Sequence, residues 1–453
     1  MELFGTAGIR GPVRSEVTPS LAVRLGRVTA EDGSEFVVGR DGRETGQALA
    51  AALEAGLQSG GADVVRLGEI PTPALAYASR GRRGIMVTAS HNPPADNGFK
   101  FFVDGTEYRR EAEQRLEARI ESGCDPIEWD QWGSRGRDDV LDAYREAAIE
   151  YVRSEVGNCD GLRVAVDCGN GTASLATPQV LRELKAKVTT LNASVDGHFP
   201  GRDSKPTAES LADLRSFVAD GPFDLGLGHD GDGDRIVVID SDGSVVHEDT
   251  VLAIVARHYT ETSGELDPVV VTTPNASGRI DEQVELAGGR TERVHLGGLH
   301  EGIAAVESEQ PDPDEPAVVF AAEPWKHLHT GFGPWIDATV SAGIISALVA
   351  ERGVNALRRN IRERPYRKVS VGCPDDAKAQ VMSALETRLP ETFPETDVDT
   401  EYGVRLTFPD SSWALVRPSG TEPYIRIYAE SDDVEELLGH ARKTVEESID
   451  DAG

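Results

Sequence analysis

The sequence predicts an α/β protein, with three related α/β domains built on mixed sheets and a smaller α+β domain at the C-terminal end. Three observations carry this. Short apolar strands run into glycine-containing loops and then into alanine- and leucine-rich helices. The theme returns twice, at a period of about 100 residues, too long for a solenoid. Beyond residue 366 a different mixture of strands and helices takes over.

The elements follow in order. Glu35–Val38 is a strand that enters a Gly-Arg-Asp-Gly-Arg loop, and Gln47–Leu57 reads as a helix. Ala62–Leu67 and Gly84–Thr88 are further strands. The second round opens with strand Leu162–Asp167 and the loop Gly169-Asn170-Gly171, then a helix near Pro178–Leu184 and strand Lys187–Leu191. Leu225–Gly228 and Arg235–Asp240 flank an acidic loop. The third round holds strands Pro268–Thr273, Arg293–Leu296 and Ala317–Ala321, with a surface loop at Glu309–Pro316. Last come helices Asp375–Leu389 and Val434–Ile449 and strands Val404–Phe408, Trp413–Val416 and Ile425–Glu430. Strands alternating with helices imply parallel or mixed sheets under helical cover. The divisions fall at residues 1–148, 149–250, 251–365 and 366–453.

Composition narrows the function. With 46 basic and 78 acidic residues, the net charge is −32. That argues against nucleic acid and anionic membranes as partners. Only eight of the basic residues are lysines, and the acids are spread along the chain, a pattern expected of a protein adapted to high salt. The four cysteines, Cys124, Cys159, Cys168 and Cys373, form no CxxC pair and read as buried thiols. No apolar run is long enough to span a membrane, and Met1–Gly5 lacks signal-peptide character, so a cytoplasmic location is expected.

Four motifs carry chemistry. Thr88-Ala89-Ser90-His91-Asn92-Pro93-Pro94 ends a strand in a proline-forced loop, which places Ser90 on exposed backbone suited to a nucleophile or phosphoryl carrier. His91 and the nearby Lys100 can move protons or balance phosphate charge. The bland alternative is a serine in a proline turn. Asp230-Gly231-Asp232-Gly233-Asp234-Arg235 alternates carboxylates with glycines, so three carboxylates can face one point and offer hard oxygens to Mg²⁺. An EF-hand is excluded, because Arg235 and Ser241 stand where its glycine and glutamate belong. Arg417-Pro418-Ser419-Gly420-Thr421-Glu422-Pro423, with Arg426, offers hydroxyls, backbone N–H groups and two guanidiniums to a phosphate dianion, or is an ordinary turn. Phe4-Gly5-Thr6-Ala7-Gly8-Ile9-Arg10-Gly11 lets backbone approach an anion that Arg10 can reach, without being a P-loop.

Together, in this order, the motifs resemble the α-D-phosphohexomutase family, which includes phosphomannomutase, phosphoglucomutase and phosphoglucosamine mutase. The resemblance implies four domains around a central cleft. It implies a phosphoprotein of carbohydrate metabolism: phospho-Ser90, and Mg²⁺ held by Ser90, Asp230, Asp232 and Asp234. Arg10, His91, Lys100 and Arg235 would surround the reacting group, with Lys100 a candidate general acid–base. Arg417, Ser419, Gly420, Thr421 and Arg426 would hold the substrate's other phosphate. The implied reaction is a phosphosugar isomerisation through a bisphosphosugar, which also serves as the activating intermediate.

The sugar-reading loop departs from the family's Gly-Glu-x-Ser-Gly-His. Here Glu323-Pro324-Trp325-Lys326-His327 puts Trp325 for serine and Lys326 for glycine. Glu323, Trp325, Lys326 and His327 remain the expected sugar contacts, with a packed core aromatic as the alternative for Trp325 and a surface charge for Lys326. His295 replaces a threonine in a second loop and reads as a structural histidine. The expected activity is 1-/6-phosphate exchange on a hexose or aminohexose. A phosphopentomutase is the same-class alternative. A phosphatase and a sugar-phosphate sensor are the others. Nothing in the sequence sets the oligomeric state.

Overall fold

The computed structural model describes residues 3–5, 8–308, 318–419 and 422–452. Thr6, Ala7, Gly420, Thr421 and the Glu309–Pro316 loop lie outside them. The chain forms two compact units: Met1–Val251 with Val319–Arg359, and Leu252–Val318 with Asn360–Gly453.

The first unit holds two mixed sheets. In one, parallel strands Asp63–Glu69, Glu35–Arg40 and Arg83–Val87 continue antiparallel into Asp96–Val103 and Ile9–Pro12. Strands Glu35–Arg40 and Arg83–Val87 are almost wholly buried, as β-rich apolar runs require when helices cover the sheet. Phe36, Val38, Ile85 and Phe99 meet Leu25, Leu53 and Leu57 of helices Pro19–Thr29 and Gly46–Ser59. In the other sheet, Lys187–Leu191, Arg163–Asp167 and Leu225–His229 run parallel, and Ile236–Asp240 returns antiparallel. The turn between those last two strands is the acidic loop. Both sheets thus deliver their functional loops from the carboxyl ends of buried strands, where an α/β sheet leaves backbone free.

Helix Ala338–Arg352 is buried at every position from Ala338 to Val349, because it packs between helices Leu141–Glu155 and Thr177–Glu183. Asp337 caps it, accepting from Val340 N at 2.9 Å, Tyr144 Oη at 2.9 Å and Trp335 Nε1 at 3.0 Å.

In the second unit, Val269–Thr272 runs parallel to Arg290–Arg293. That strand stops at Arg293 rather than spanning Arg293–Leu296. Its ladder ends where Gly298 N turns back to His295 O at 2.9 Å. The C-terminal sheet is wholly antiparallel, in the order Tyr366–Gly372, Tyr424–Glu430, Trp413–Pro418, Val404–Thr407, Asp397–Asp399. Helices Lys378–Thr392 and Val434–Asp450 cover it. The first begins three residues later than the sequence reading and runs through Pro390, whose ring sits in its last turn. The buried pair Arg279–Glu430, 2.9 Å apart and 1% exposed on each side, is completed by Trp413 Nε1 on Glu430 Oε2 at 3.0 Å. Among the described residues no helix is long and apolar enough to cross a membrane.

Candidate active site

Ser90 follows strand Arg83–Val87 by three residues and takes a left-handed backbone, φ 50°. It is 0% exposed, not on exposed backbone as the sequence implied. The carbonyls of its loop are gathered by Arg43 instead of facing water. Nη2 of Arg43 donates to Ser90 O at 2.9 Å and Asn92 O at 2.7 Å, and Nη1 to Pro93 O at 2.6 Å and Asp96 O at 2.9 Å. Nε of Arg43 reaches Asp41 Oδ2 at 3.0 Å, and Thr88 Oγ1 donates to the same oxygen at 2.7 Å while accepting from Ser90 N at 2.8 Å. Burial, opposed by Arg43, pushes the Asp41 carboxyl up to about 6. The Gly-Arg-Asp-Gly-Arg loop had no assigned role in the sequence.

The acidic loop closes on Ser90. Ser90 Oγ donates to Asp230 Oδ2 at 2.8 Å. Oxygens of Asp230, Asp232 and Asp234 lie within 4.8 Å of one another, and all three residues are buried. Gly231 and Gly233 permit this. Gly233 has φ +71°, and a Cβ on Gly231 would lie 2.8 Å from Ser90 O. Lys100, from strand Asp96–Val103, puts Nζ 2.6 Å from Asp234 Oδ2 and 3.2 Å from Asp232 Oδ2. Thr72, at the start of helix Thr72–Ala78, donates Oγ1 to Asp232 Oδ2 at 2.6 Å and its N–H to Asp232 O at 2.9 Å. Oδ1 of Asp232 and Oδ1 of Asp234 are left buried without a hydrogen-bond partner. Two orphaned carboxylate oxygens beside a third carboxylate suit a divalent cation with a hard-oxygen shell. The donor set therefore fits a metal ion.

Charge is divided unevenly here. Burial, then Asp234 and Asp232, hold the Asp230 carboxyl well above the usual range. Burial also opposes ionisation of Asp234, but Lys100, Lys326 and Arg235 outweigh it and hold that carboxyl low. Burial opposes the Lys100 ammonium too, yet Asp232 and Asp234 overcome it and raise its pKa. Lys100 is therefore held as a cation by the two carboxylates it bonds. His91, 3.3 Å from Ser90 Oγ through Nδ1, is pushed down to about 3 by burial and by Arg235 and Arg10, and so is neutral near pH 7.

Arg10 sits opposite Gly98 across the edge of the first sheet. Its Nε and Nη2 are buried without partners, and its charge is felt by His91, Lys100 and Asp232. Arg235 Nε lies 3.9 Å from Asp230 Oδ2 and from Asp234 Oδ1. Two guanidiniums with unspent donors thus lie around the carboxylates that meet Ser90, and such donors can accept a phosphoryl group.

The sugar-reading residues divide. Lys326, paired with Glu323 in the hairpin of Val318–Glu323 and Lys326–Leu328, projects its charge onto Asp234 and His91. Trp325 O accepts from Ile236 N at 3.1 Å, and the half-buried Trp325 ring packs against the cluster of Leu211, Val237 and Ile239, as a core aromatic does. His327 points inward, contrary to the expected sugar contact. It is 2% exposed, with Nδ1 3.0 Å from Ser341 Oγ, and burial pushes it down to about 3.

The folded chain excludes a proton that an unfolded histidine binds below about pH 6.5, so His327 costs stability as pH falls through that value, at up to ~1.4 kcal/mol per pH unit. His327→Gln should flatten the fall in urea-unfolding free energy between pH 6 and pH 4.5 by about that slope. Parallel curves for parent and variant would remove the buried neutral histidine.

In the second unit, Arg417 and Arg426 are register partners on neighbouring strands. Nε of each, and Ser419 Oγ, are buried without partners. Arg417 Nη2 rests on Tyr428 Oη at 3.1 Å. Lys378 Nζ ties down the turn through Ser419 O and Glu422 O, each at 2.7 Å, a tether the sequence reading missed. His295 is exposed and lies beside the Tyr402 ring, 6.0 Å between centroids.

Sequence models of phosphoglucomutase/phosphomannomutase domains match three stretches: α/β/α domain I at residues 1–125, α/β/α domain II at 142–243 and the C-terminal domain at 371–447. The chain belongs to the phosphoglucomutase/phosphomannomutase family. It is therefore a mutase, an isomerase that relocates phosphoryl groups. Among relatives, a phosphopentomutase of Thermococcus kodakarensis is 42% identical, covering 100% of this chain and 99% of its own. A probable phosphoglucosamine mutase of Methanopyrus kandleri is 40% identical over 99% of this chain and 97% of its own. A phosphoglucomutase/phosphomannomutase family protein of Burkholderia thailandensis superposes with TM-score 0.84 at 24% identity, covering 98% and 97% of the two chains, and shares the fold.

Proposed function

We propose that this family member moves a phosphoryl group between the 1- and 6-positions of a hexose or aminohexose phosphate, with Ser90 as the carrier. The observation that carries the reading is Ser90 Oγ, buried 2.8 Å from Asp230 Oδ2, in a site where two further carboxylates keep unpartnered oxygens. Asp230, Asp232 and Asp234 would hold Mg²⁺, whose contribution when bound is to offset charge on phosphoryl oxygens.

In the first transfer the Oγ–P bond of phospho-Ser90 breaks as a sugar hydroxyl oxygen bonds to phosphorus, giving a bisphosphosugar. The hydroxyl proton ends on Ser90 Oγ, which has His91 Nδ1 3.3 Å away. The second transfer reverses this with the sugar's other phosphate. Arg10, Lys100, Arg235 and Lys326 supply fixed positive charge around the equatorial oxygens. Arg417, Ser419 and Arg426, with Gly420 and Thr421, would grip the phosphate that is not reacting.

One observation favours a second reading, exchange between positions 1 and 5 of a pentose phosphate: the 42% identity to a phosphopentomutase. A panel of glucosamine, mannose, glucose and ribose phosphates, assayed with Mg²⁺ at low and high KCl, decides. Interconversion of a hexose or hexosamine 1- and 6-phosphate is the expected result. Turnover of ribose phosphates alone would transfer the assignment to the pentose. Inorganic phosphate released faster than isomer forms would make it a phosphatase. Highest activity at high KCl would fit the acidic, lysine-poor composition.

A further inference from the structure

Arg43 spends every donor of its guanidinium inside the protein, four on carbonyls of the Ser90 loop and one on Asp41. It is 1% exposed, so none of this charge serves a ligand from solvent. Phe199 covers it, with the guanidinium carbon 5.1 Å from the ring centre. The same ring lies against the metal loop, 3.2 Å from where a Cβ on Gly231 would stand. Phe199 itself has φ 50° and is 6% exposed, held by its N–H to Asp196 O at 3.0 Å. Nearby, Ser204 Oγ donates to Asn92 O at 3.1 Å. One short segment of the second sheet's domain therefore touches both the carbonyls behind Ser90 and the loop that carries the three aspartates.

We infer that Arg43 and Phe199 form a latch that sets the register between the Ser90 loop and the Asp230–Asp234 loop. They are positioning residues. The inference rests on the proposed role of Ser90 as carrier. Its logic is geometric: a nucleophile and its acidic partners on separate loops lose rate steeply when either loop drifts. A lysine at position 43 keeps the charge but cannot fork to four carbonyls. A leucine at 199 keeps apolar bulk but loses the flat face over the guanidinium.

Arg43→Lys should lower kcat by about 100-fold and Phe199→Leu by about tenfold, with KM for the sugar phosphate changed less than about threefold. Phe199→Tyr, which retains the ring, should recover most of the rate lost in Phe199→Leu. Hydrogen exchange gives a reading that does not depend on turnover. Amides of both segments 88–96 and 228–235 should exchange faster in Arg43→Lys and in Phe199→Leu, but not in Phe199→Tyr, at temperatures well below unfolding. Should Arg43→Lys fail to fold, the two Phe199 variants decide alone. Parental kcat in Phe199→Leu, or faster exchange confined to one segment, would overturn the latch. A parent protein inert on every sugar phosphate would refute the proposed function instead, and exchange in the two segments would still test the latch.

Discussion

Ser90→Ala is expected to leave a folded protein that cannot turn over, with activity down by on the order of 10⁴-fold or more, as when a covalent carrier is removed. Ser90 Oγ donates to Asp230 at 2.8 Å and makes a longer contact of 3.3 Å with His91 Nδ1, and their loss together costs about 1 kcal/mol. The rest of the loop is held through its backbone by Arg43, which the substitution does not touch. The left-handed φ of 50° is borne by serine and alanine alike, since each carries a Cβ, and adds no cost to the exchange. Stability should therefore fall by about 1 kcal/mol, too little to unfold a chain of this size. Intact mass supplies the second readout. Incubation with a bisphosphosugar should add one phosphoryl group to the parent and none to the variant. Residual turnover within tenfold of the parent would end the carrier role for Ser90.

The difference between what the sequence disclosed and what it hid follows from chain distance. The acidic loop was legible because its chemistry is local: three carboxylates alternate with two glycines between apolar strands, and the structure brings their oxygens within 4.8 Å. Ser90 was legible as a strand-end residue but not as a buried one. Its burial depends on Arg43, 47 residues away. Thr72 reaches Asp232 across 160 positions and Lys378 reaches Ser419 across 41, and neither carries a local pattern that announces a partner. The alternation of strands and helices gave the fold class. It could not show that residues 319–359 group with the first unit, because the all-round burial of Ala338–Val349 is supplied by helices whose contacts span 162 and 193 positions of the chain. His327 was placed by its match to a family pattern, whereas its environment is set by Ser341 on that helix.

Lys100→Met tests the electrostatic core of the site. Lys100 is 2% exposed and occupies Oδ2 of both Asp232 and Asp234, while Oδ1 of each stays unpartnered. Methionine matches the aliphatic stem but removes the ammonium that bonds both carboxylates. Breaking a buried ion pair from one side costs about 3–5 kcal/mol, because the remaining charges have lost both water and partner. The metal-free variant should therefore unfold at markedly lower denaturant than the parent. A divalent cation binding the free oxygens would replace the missing charge, so Mg²⁺ should stabilise the variant by a larger increment than it stabilises the parent. Activity should also fall, by about 10²–10⁴-fold, since a fixed cation beside the phosphoryl group is gone. The two effects separate. If Mg²⁺ shifts both proteins equally, the carboxylates are not sharing their charge between lysine and metal. If the metal-free variant is as stable as the parent, Asp232 and Asp234 are not both ionised in the folded chain, and the division of charge described for the site is wrong. A variant that is unstable without Mg²⁺, rescued by it, yet still slow would place Lys100 in both roles at once: counter-ion to the empty carboxylates, and cation to the transferring group once they are filled.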